Sequence, residues 1–554
     1  MLNGNIGSVR QAIKTQTSNI SVGSGTHTAI STGLRNISFG EDAGNAVDSG
    51  SDNVYLGHNA AKMKTGGGNN VIIGSLAFDA ADSGEGNNVV IGKGAAGAVN
   101  ASGTDDNVVI GNMALSTAAG GQNVKRNIII GSQAVQADVA VGTSRDGDIF
   151  AIGYKSLTAL TTGLKNMAIG YETMKEHTTG ANNIAIGYGA MNETAGTNSS
   201  TSSDNMFIGV NSGGGNWADE TSAYNIGIGN ETLSGALNGA NYNFAIGYQA
   251  MQVHTTGDRN IAIGYQAMHD TNADAASMAS NDNVFLGYSA GGGEWQAGES
   301  SHNIGIGSYA LDGALQGAVG NVCIGQEAGG AITQGIHNTC IGFQAGDALT
   351  THSKNVAIGS HTLGEAGADY NVAIGYEAGN DCTSDSNTLV GYQAGDSVTT
   401  GQQNTGIGAE VAFDIDANNQ TCVGYGATTA STGANTIMLG NSSVTDVYMG
   451  DDGNAWSQVS DERLKRNIED WNVGLEAINK LKIKQFQFKE DNVFGFSSDK
   501  IRQGIIAQEA IKALPQMVKT NSEGWMTANN EPMTWAMVNA IQELSQQIED
   551  LKKG

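Results

Sequence analysis

One short phrase, Asn-apolar-x-apolar-Gly-x-x-Ala/Ser, returns through most of this 554-residue chain. It reads NVYLGHNAA at 53–61, NVVIGNMAL at 107–115, NIAIGYGAM at 183–191 and NVAIGYEAG at 371–379. Its marker glycine occurs 23 times from Gly40 to Gly440, often 16 or 17 residues apart. Two copies, DIFAIG (148–153) and NTIMLG (435–440), are one residue longer. So short a period leaves no room for a helix, a strand and two turns, and proline is absent before Pro515. Apolar residues alternate with small ones, the period of a half-buried strand. The glycine ends that strand where positive φ or close backbone approach is needed. The expected fold class is mainly β: a repetitive β-solenoid or β-roll of about 23 coils, each capping the next. A leucine-rich repeat would show LxxLxL, and this chain does not.

Composition divides the chain in two. Only five of its 80 glycines lie after residue 459, and with 2 prolines and no three-residue period it is not collagenous. A strict pattern and 39% hydrophobic residues argue against disorder. Residues 460–554 are nearly neutral, with 13 Lys+Arg against 14 Asp+Glu, so the first 459 carry −26 of the total −27. Such a surface repels nucleic-acid phosphates and anionic headgroups. No apolar run approaches a membrane span, and the first residues lack the apolar core of a secretory signal. Synthesis in a cytoplasm and no membrane insertion are expected. Cys323, Cys340 and Cys422 share one repeat position and Cys382 lies in a connecting segment, without CxxC spacing. They read as reduced, small apolar residues. No EF-hand or GGxGxDx repeat occurs, so neither a metal nor a cofactor is expected.

A larger repeat lies inside the small one. MFIGVNSGGGNW (206–217) matches VFLGYSAGGGEW (284–295), and NIGIGNETLSGALNGA (225–240) matches NIGIGSYALDGALQGA (303–318), both displaced by 78 residues. Trp217 and Trp295, each after a GGG loop, have two readings. They are candidate glycan-binding platforms, or they fold back to shield bare glycine surface.

After Gly440 the text changes. FQF (486–488) suggests a strand, and IIAQEAIKALP (505–515) a helix with Ala507, Ile511 and Leu514 on one face, stopped by Pro515. Met537, Ile541, Leu544, Ile548 and Leu551 are spaced 4, 3, 4 and 3, a coiled-coil seam of about two heptads. All nine histidines precede residue 362, so any nucleophile here needs another base. Ser460 and Lys465, five residues apart, are a candidate Ser-Lys pair, since a buried lysine can act as base. SDERLK equally suits a helix N-cap with an acidic first turn.

Two resemblances extend these readings. Residues 30–445 resemble the β-roll heads of YadA-type trimeric adhesins through their Asn-x-Ala-Ile-Gly signature, which implies three chains side by side. SDERLKRNI, GIIAQEAIKALPQMV and the terminal AIQELSQQIEDLKK together look like the intramolecular chaperone domain of phage endosialidases and other tail fibres and spikes. That resemblance implies a chaperone that trimerises the fibre and then cuts itself off. Ser460 would be the nucleophile, attacking the Val459 carbonyl, with Lys465 as base. It also implies a small α+β C-terminal domain ending in a short coiled-coil helix.

The expected organisation is an N-terminal attachment segment (1–30), a solenoid receptor-binding region (31–445), a connector (446–459) and the chaperone and autocleavage domain (460–554). The expected function is a homotrimeric virion tail fibre, assembled in the bacterial cytoplasm and cleaved at Val459–Ser460. Its partners would be a host cell-surface glycan or protein and, at the N-terminus, another tail or baseplate protein. Any enzymatic activity would be single-turnover self-cleavage. A polysaccharide-degrading tailspike and a non-cleaving structural fibre are the alternatives.

Overall fold

A computed structural model describes residues 13–16 and 18–554, apart from 82–83, 101–102, 118–123, 137–144, 148, 195–198, 218–219, 272–278, 365–366, 397, 430–432, 445–461, 492–497 and 521–523. It forms two compact units, residues 1–367 and 368–554. The fold is mainly β, a solenoid of about 22 turns followed by a small α/β region ending in a helix.

In the first unit, Ile13–Gln16 pairs antiparallel with Asn19–Val22, which occupies the backbone edge at that end. Every later strand of the stack is parallel and in register, as in Met167↔Ile184, Ala168↔Ala185 and Ile169↔Ile186. Strands are three or four residues long, from Ile37–Phe39 to Val356–Ile358. The marker glycines have the backbone they were expected to need. Gly170 has φ +142°, and a Cβ there would fall against the Gly187 carbonyl of the next coil.

The alternating period is present, but its faces are the reverse of what hydrophobicity suggests. The middle strand residue, often Ala, is buried, while the flanking Val and Ile are only half-buried. A coil this short encloses a thin interior. Small strand residues such as Ala185 fill it together with Ala190 and Met191 of the following turn. Its wall is an asparagine ladder. Asn183 donates from its backbone N to Asn166 Oδ1 (2.9 Å) and from Nδ2 to the same oxygen (3.2 Å) and to Ser202 O (2.9 Å). One amide oxygen and two amide protons serve three partners, which a hydroxyl or carboxylate cannot do. This explains the Asn of the repeat.

The second unit continues the pattern with Val372–Ile374, Thr388–Val390, Thr405–Ile407, Thr421–Val423 and Ile437–Leu439. Its C-terminal region holds helix α1 (Leu475–Lys480), an antiparallel pair Lys484–Phe486 and Arg502–Gly504, helix α2 (Ala507–Ala513), the hairpin Val518–Thr520 and Met526–Ala528, and helix α3 (Glu531–Lys553). The first strand lies two residues earlier than FQF. Helix α2 ends before Pro515, as expected, but buries Ala510 and Leu514 rather than Ala507 and Ile511. Met517, in the short 3-10 turn after it, extends that face, and the core also contains Ala477 and Ala536. Leu514 is thus shared between the expected and the observed face, with Ala507 and Ile511 half-buried at its margin.

Candidate functional site

The chain enters its C-terminal region through a 3-10 turn, Glu462–Leu464, closed by Lys465 N donating to Glu462 O (3.0 Å). The helix N-cap reading of SDERLK anticipated a helical first turn here; the described residues form a three-residue 3-10 turn, with the cap position outside them. Ser460 and Val459 lie outside the described residues, and Lys465 is exposed on the single chain.

Residues beyond that turn are held by α3. Asn539 Nδ2 donates to the carbonyls of Trp471 (2.5 Å) and Val473 (3.1 Å). Glu543 Oε2 accepts the first amide of α1, Leu475 N, at 3.1 Å. That carboxylate satisfies one of the orphan donors at a helix start, where negative charge is favoured. Asn539 and Glu543 thereby couple the entry segment to the terminal helix. Neither was legible in sequence, because their partners are backbone groups some 68 residues away in the chain.

Away from these contacts, α3 presents the expected seam. Met537, Ile541, Leu544, Ile548 and Leu551 are all exposed, Leu551 at 82%. Val538, also exposed, widens the apolar face, and Trp535 is exposed on another side of the helix. Five spaced apolar residues on one unpartnered face have the pattern of a helix that packs on others.

The tryptophans require a correction. Trp217 and Trp295 are 1% and 0% exposed, so neither offers a ring face to a glycan. Each indole N–H donates to a glycine of its own GGG loop, Gly213 O and Gly291 O, both at 2.9 Å. Each ring meets a core phenylalanine edge-on, Phe207 at 5.8 Å and Phe285 at 5.9 Å. They fill the interior rather than shield the exterior. The signal was present: the next strands carry Gly227 and Gly305 where other coils carry Ala, and those gaps accept the phenylalanines.

All four cysteines are buried free thiols. Burial, with the Cys340 thiol alongside, pushes the Cys323 thiol well above its ordinary range. Among the described residues no group of three His, Cys, Asp or Glu is placed to hold a metal. No helix among them is long and apolar enough to cross a membrane.

Residues 460–519 match the family described as chaperone of endosialidase. Among curated proteins, the chain is 32% identical over 117 residues to the long tail fiber protein Gp37 of Enterobacteria phage Ox2, covering 20% of this chain and 43% of that protein. The long tail fiber protein Gp37 of Enterobacteria phage M1 matches with the same identity and coverage. The alignment thus spans less than half the length of either relative. Similarity thus places an endosialidase-type chaperone segment at residues 460–519, downstream of the solenoid, and relates the chain over 117 residues to phage long tail fiber proteins.

Proposed function

We propose that three copies of this chain assemble into a tail fibre that attaches a virion to its host cell, and that the C-terminal domain directs assembly before cutting itself away. The observation that carries this reading is the outward placement of the aliphatic columns. Val, Ile or Leu flanks the buried strand residue on both sides in most turns, and Ile261, Ile306, Ile324 and Ile407 are each more than a third exposed. Within each unit, an exposed column of aliphatic residues marks an interaction surface. Stacked tyrosines border it one residue after the marker glycine, such as Tyr171 and Tyr188 at 5.0 Å. The α3 seam offers a second surface of the same character.

In-register repeats can pair one coil out of place, so a terminal domain that aligns three chains solves a real problem. Residues 31–445 then form the receptor-binding region, 446–459 the connector and 1–30 the attachment to another tail or baseplate protein. Self-cleavage follows from Ser460 and Lys465. The Ser460 hydroxyl oxygen adds to the Val459 carbonyl while Lys465 takes the hydroxyl proton and returns it to the Ser460 nitrogen as the peptide bond breaks. Water then hydrolyses the ester. Lys465 is exposed on the single chain, and a lysine acts as base more readily when buried. Burial on assembly would supply the desolvation, so cutting follows trimer formation.

Two measurements test the proposal. Light scattering on the full chain should give three times its monomer mass, and a monomer would overturn the assembly. Intact mass should show two fragments divided at Val459–Ser460, with Ser460→Ala and Lys465→Ala remaining whole. A wild-type trimer of uncut chains would instead make the domain a retained assembly element.

A further inference from the structure

Four coils are duplicated, and the two copies have kept some positions and changed others. Phe207, Trp217, Ser202, Ser222, Gly227 and Leu237 recur unchanged as Phe285, Trp295, Ser280, Ser300, Gly305 and Leu315. Apart from the two strand glycines, these side chains are buried, and they do the same work in each copy. Ser222 N donates to Ser202 Oγ and Ser300 N to Ser280 Oγ, for example, at 3.0 and 2.9 Å.

The first copy also carries an open cavity of about 420 Å³, lined by Thr201, Glu220, Thr221, Gly239 and Asn241. Thr201, Thr221 and Gly239 each stand four residues before a ladder asparagine, Asn205, Asn225 and Asn243. The cavity therefore crosses three successive coils on the turn column, away from the aliphatic strand face. Gly239 (φ +81°) leaves its floor bare, with Glu220 Oε2 2.6 Å from where a Cβ would sit. Asn241 is fixed by accepting Ala223 N (2.9 Å). Tyr224 and Tyr242, which follow Ala223 and Asn241 directly, stack at 4.8 Å and are half exposed.

Of the cavity-lining and tyrosine positions only Gly239 persists in the second copy, as Gly317. Thr201, Glu220, Thr221, Asn241, Tyr224 and Tyr242 become Ala279, Gly298, Glu299, Val319, His302 and Gly320. The fold accepts both sets, so it does not demand the first. We propose that this cavity is a binding subsite for a neutral saccharide, which deepens the attachment reading and rests on it. Two hydroxyls, a carboxylate and an amide within one cavity suit a ligand with neighbouring hydroxyl groups, and the flanking tyrosines suit its apolar face. Glu220, on a region of net charge −26, disfavours acidic sugars. One such contact binds weakly, on the order of millimolar, and three copies on one fibre act together.

The test is saturation-transfer NMR on the full chain with the methyl glycosides of glucose, galactose, mannose and N-acetylglucosamine, and N-acetylneuraminic acid as the acidic comparator. A neutral glycoside should receive saturation. The variant Glu220→Gly/Thr221→Glu/Asn241→Val, carrying residues the second copy already tolerates, should bind at least tenfold more weakly with unchanged melting. Equal binding by that variant, or transfer to N-acetylneuraminic acid alone, overturns the subsite. A chain that decorates bacterial cells but binds no glycoside overturns the subsite and leaves attachment standing. Binding in the cavity by a chain that decorates no cells overturns attachment alone.

Discussion

The solenoid and the C-terminal region solve the burial problem in opposite ways. The C-terminal region gathers a few apolar residues, Ala477, Ala510, Leu514, Met517 and Ala536, into one cluster built from segments far apart in sequence. Most solenoid coils instead bury a polar asparagine together with a middle strand residue that is often small, and leave the flanking aliphatic residues half exposed. A coil contacts only its neighbours, so its stability is a sum of local terms. The small cluster has no such redundancy.

The largest effect should come from a fully buried ion pair. Lys64 and Glu85 are both 0% exposed and 2.9 Å apart, with the Lys64 ammonium also donating to Glu85 O at 2.8 Å. Lys64→Ala strands a buried carboxylate at a cost of about 3–5 kcal/mol. Hydrogen exchange should show the loss confined to coils around residues 53–107. Loss of protection along the whole solenoid would break the local-sum picture. Leu514→Ala, costing about 2–5 kcal/mol, should by contrast loosen α1, α2 and α3 together.

Acid should act next, through two histidines that make equivalent turn contacts. His177 and His254 are 0% exposed, and burial lowers each to about 4. In its neutral form each donates from Nε2 to a turn carbonyl, Gly180 O at 3.1 Å or Gly257 O at 3.0 Å. A lowered histidine stabilises the fold fully above its unfolded value of about 6.5, and that stability is lost as pH falls from there toward 4. The loss is on the order of 3 kcal/mol per ring. Melting measured from pH 7.5 to 4 should fall for the wild type and less steeply for His177→Asn/His254→Asn. Parallel curves would show that these rings do not govern acid stability.

These sites also show what was legible in the residues. Period, strand position, glycine conformation and the chaperone motifs were legible because they depend on local spacing. Which face points inward was not. Alternation in NIAIG is the same whether Ile or Ala faces the core, and only the thinness of the coil decides. Trp217 was ambiguous because a GGG loop leads outward or inward equally well; Gly227, one coil on, held the answer. Lys64 and Glu85 are 21 residues apart and sit in no motif. Asn539 and Glu543 act on backbone groups, which leave no mark in side-chain pattern.

The smallest effect should come from a pair with the same chemistry as Lys64 and Glu85 in the opposite setting. Arg259 meets Asp282 through two hydrogen bonds, Nε to Oδ1 at 2.7 Å and an outer guanidinium nitrogen to Oδ2 at 2.8 Å. Its geometry is better than that of the buried pair, and the guanidinium holds the Asp282 carboxyl below its usual range. Yet the Arg259 side chain is 55% exposed and Asp282 31%, so water and salt compete with every contact. Removing Arg259 leaves Asp282 solvated, whereas removing Lys64 leaves Glu85 stranded. Arg259→Ala should therefore give no resolvable change in melting at physiological salt. A small destabilisation should emerge at low ionic strength, and a salt-independent loss comparable to Lys64→Ala would mean that geometry rather than burial sets the worth of an ion pair in this solenoid.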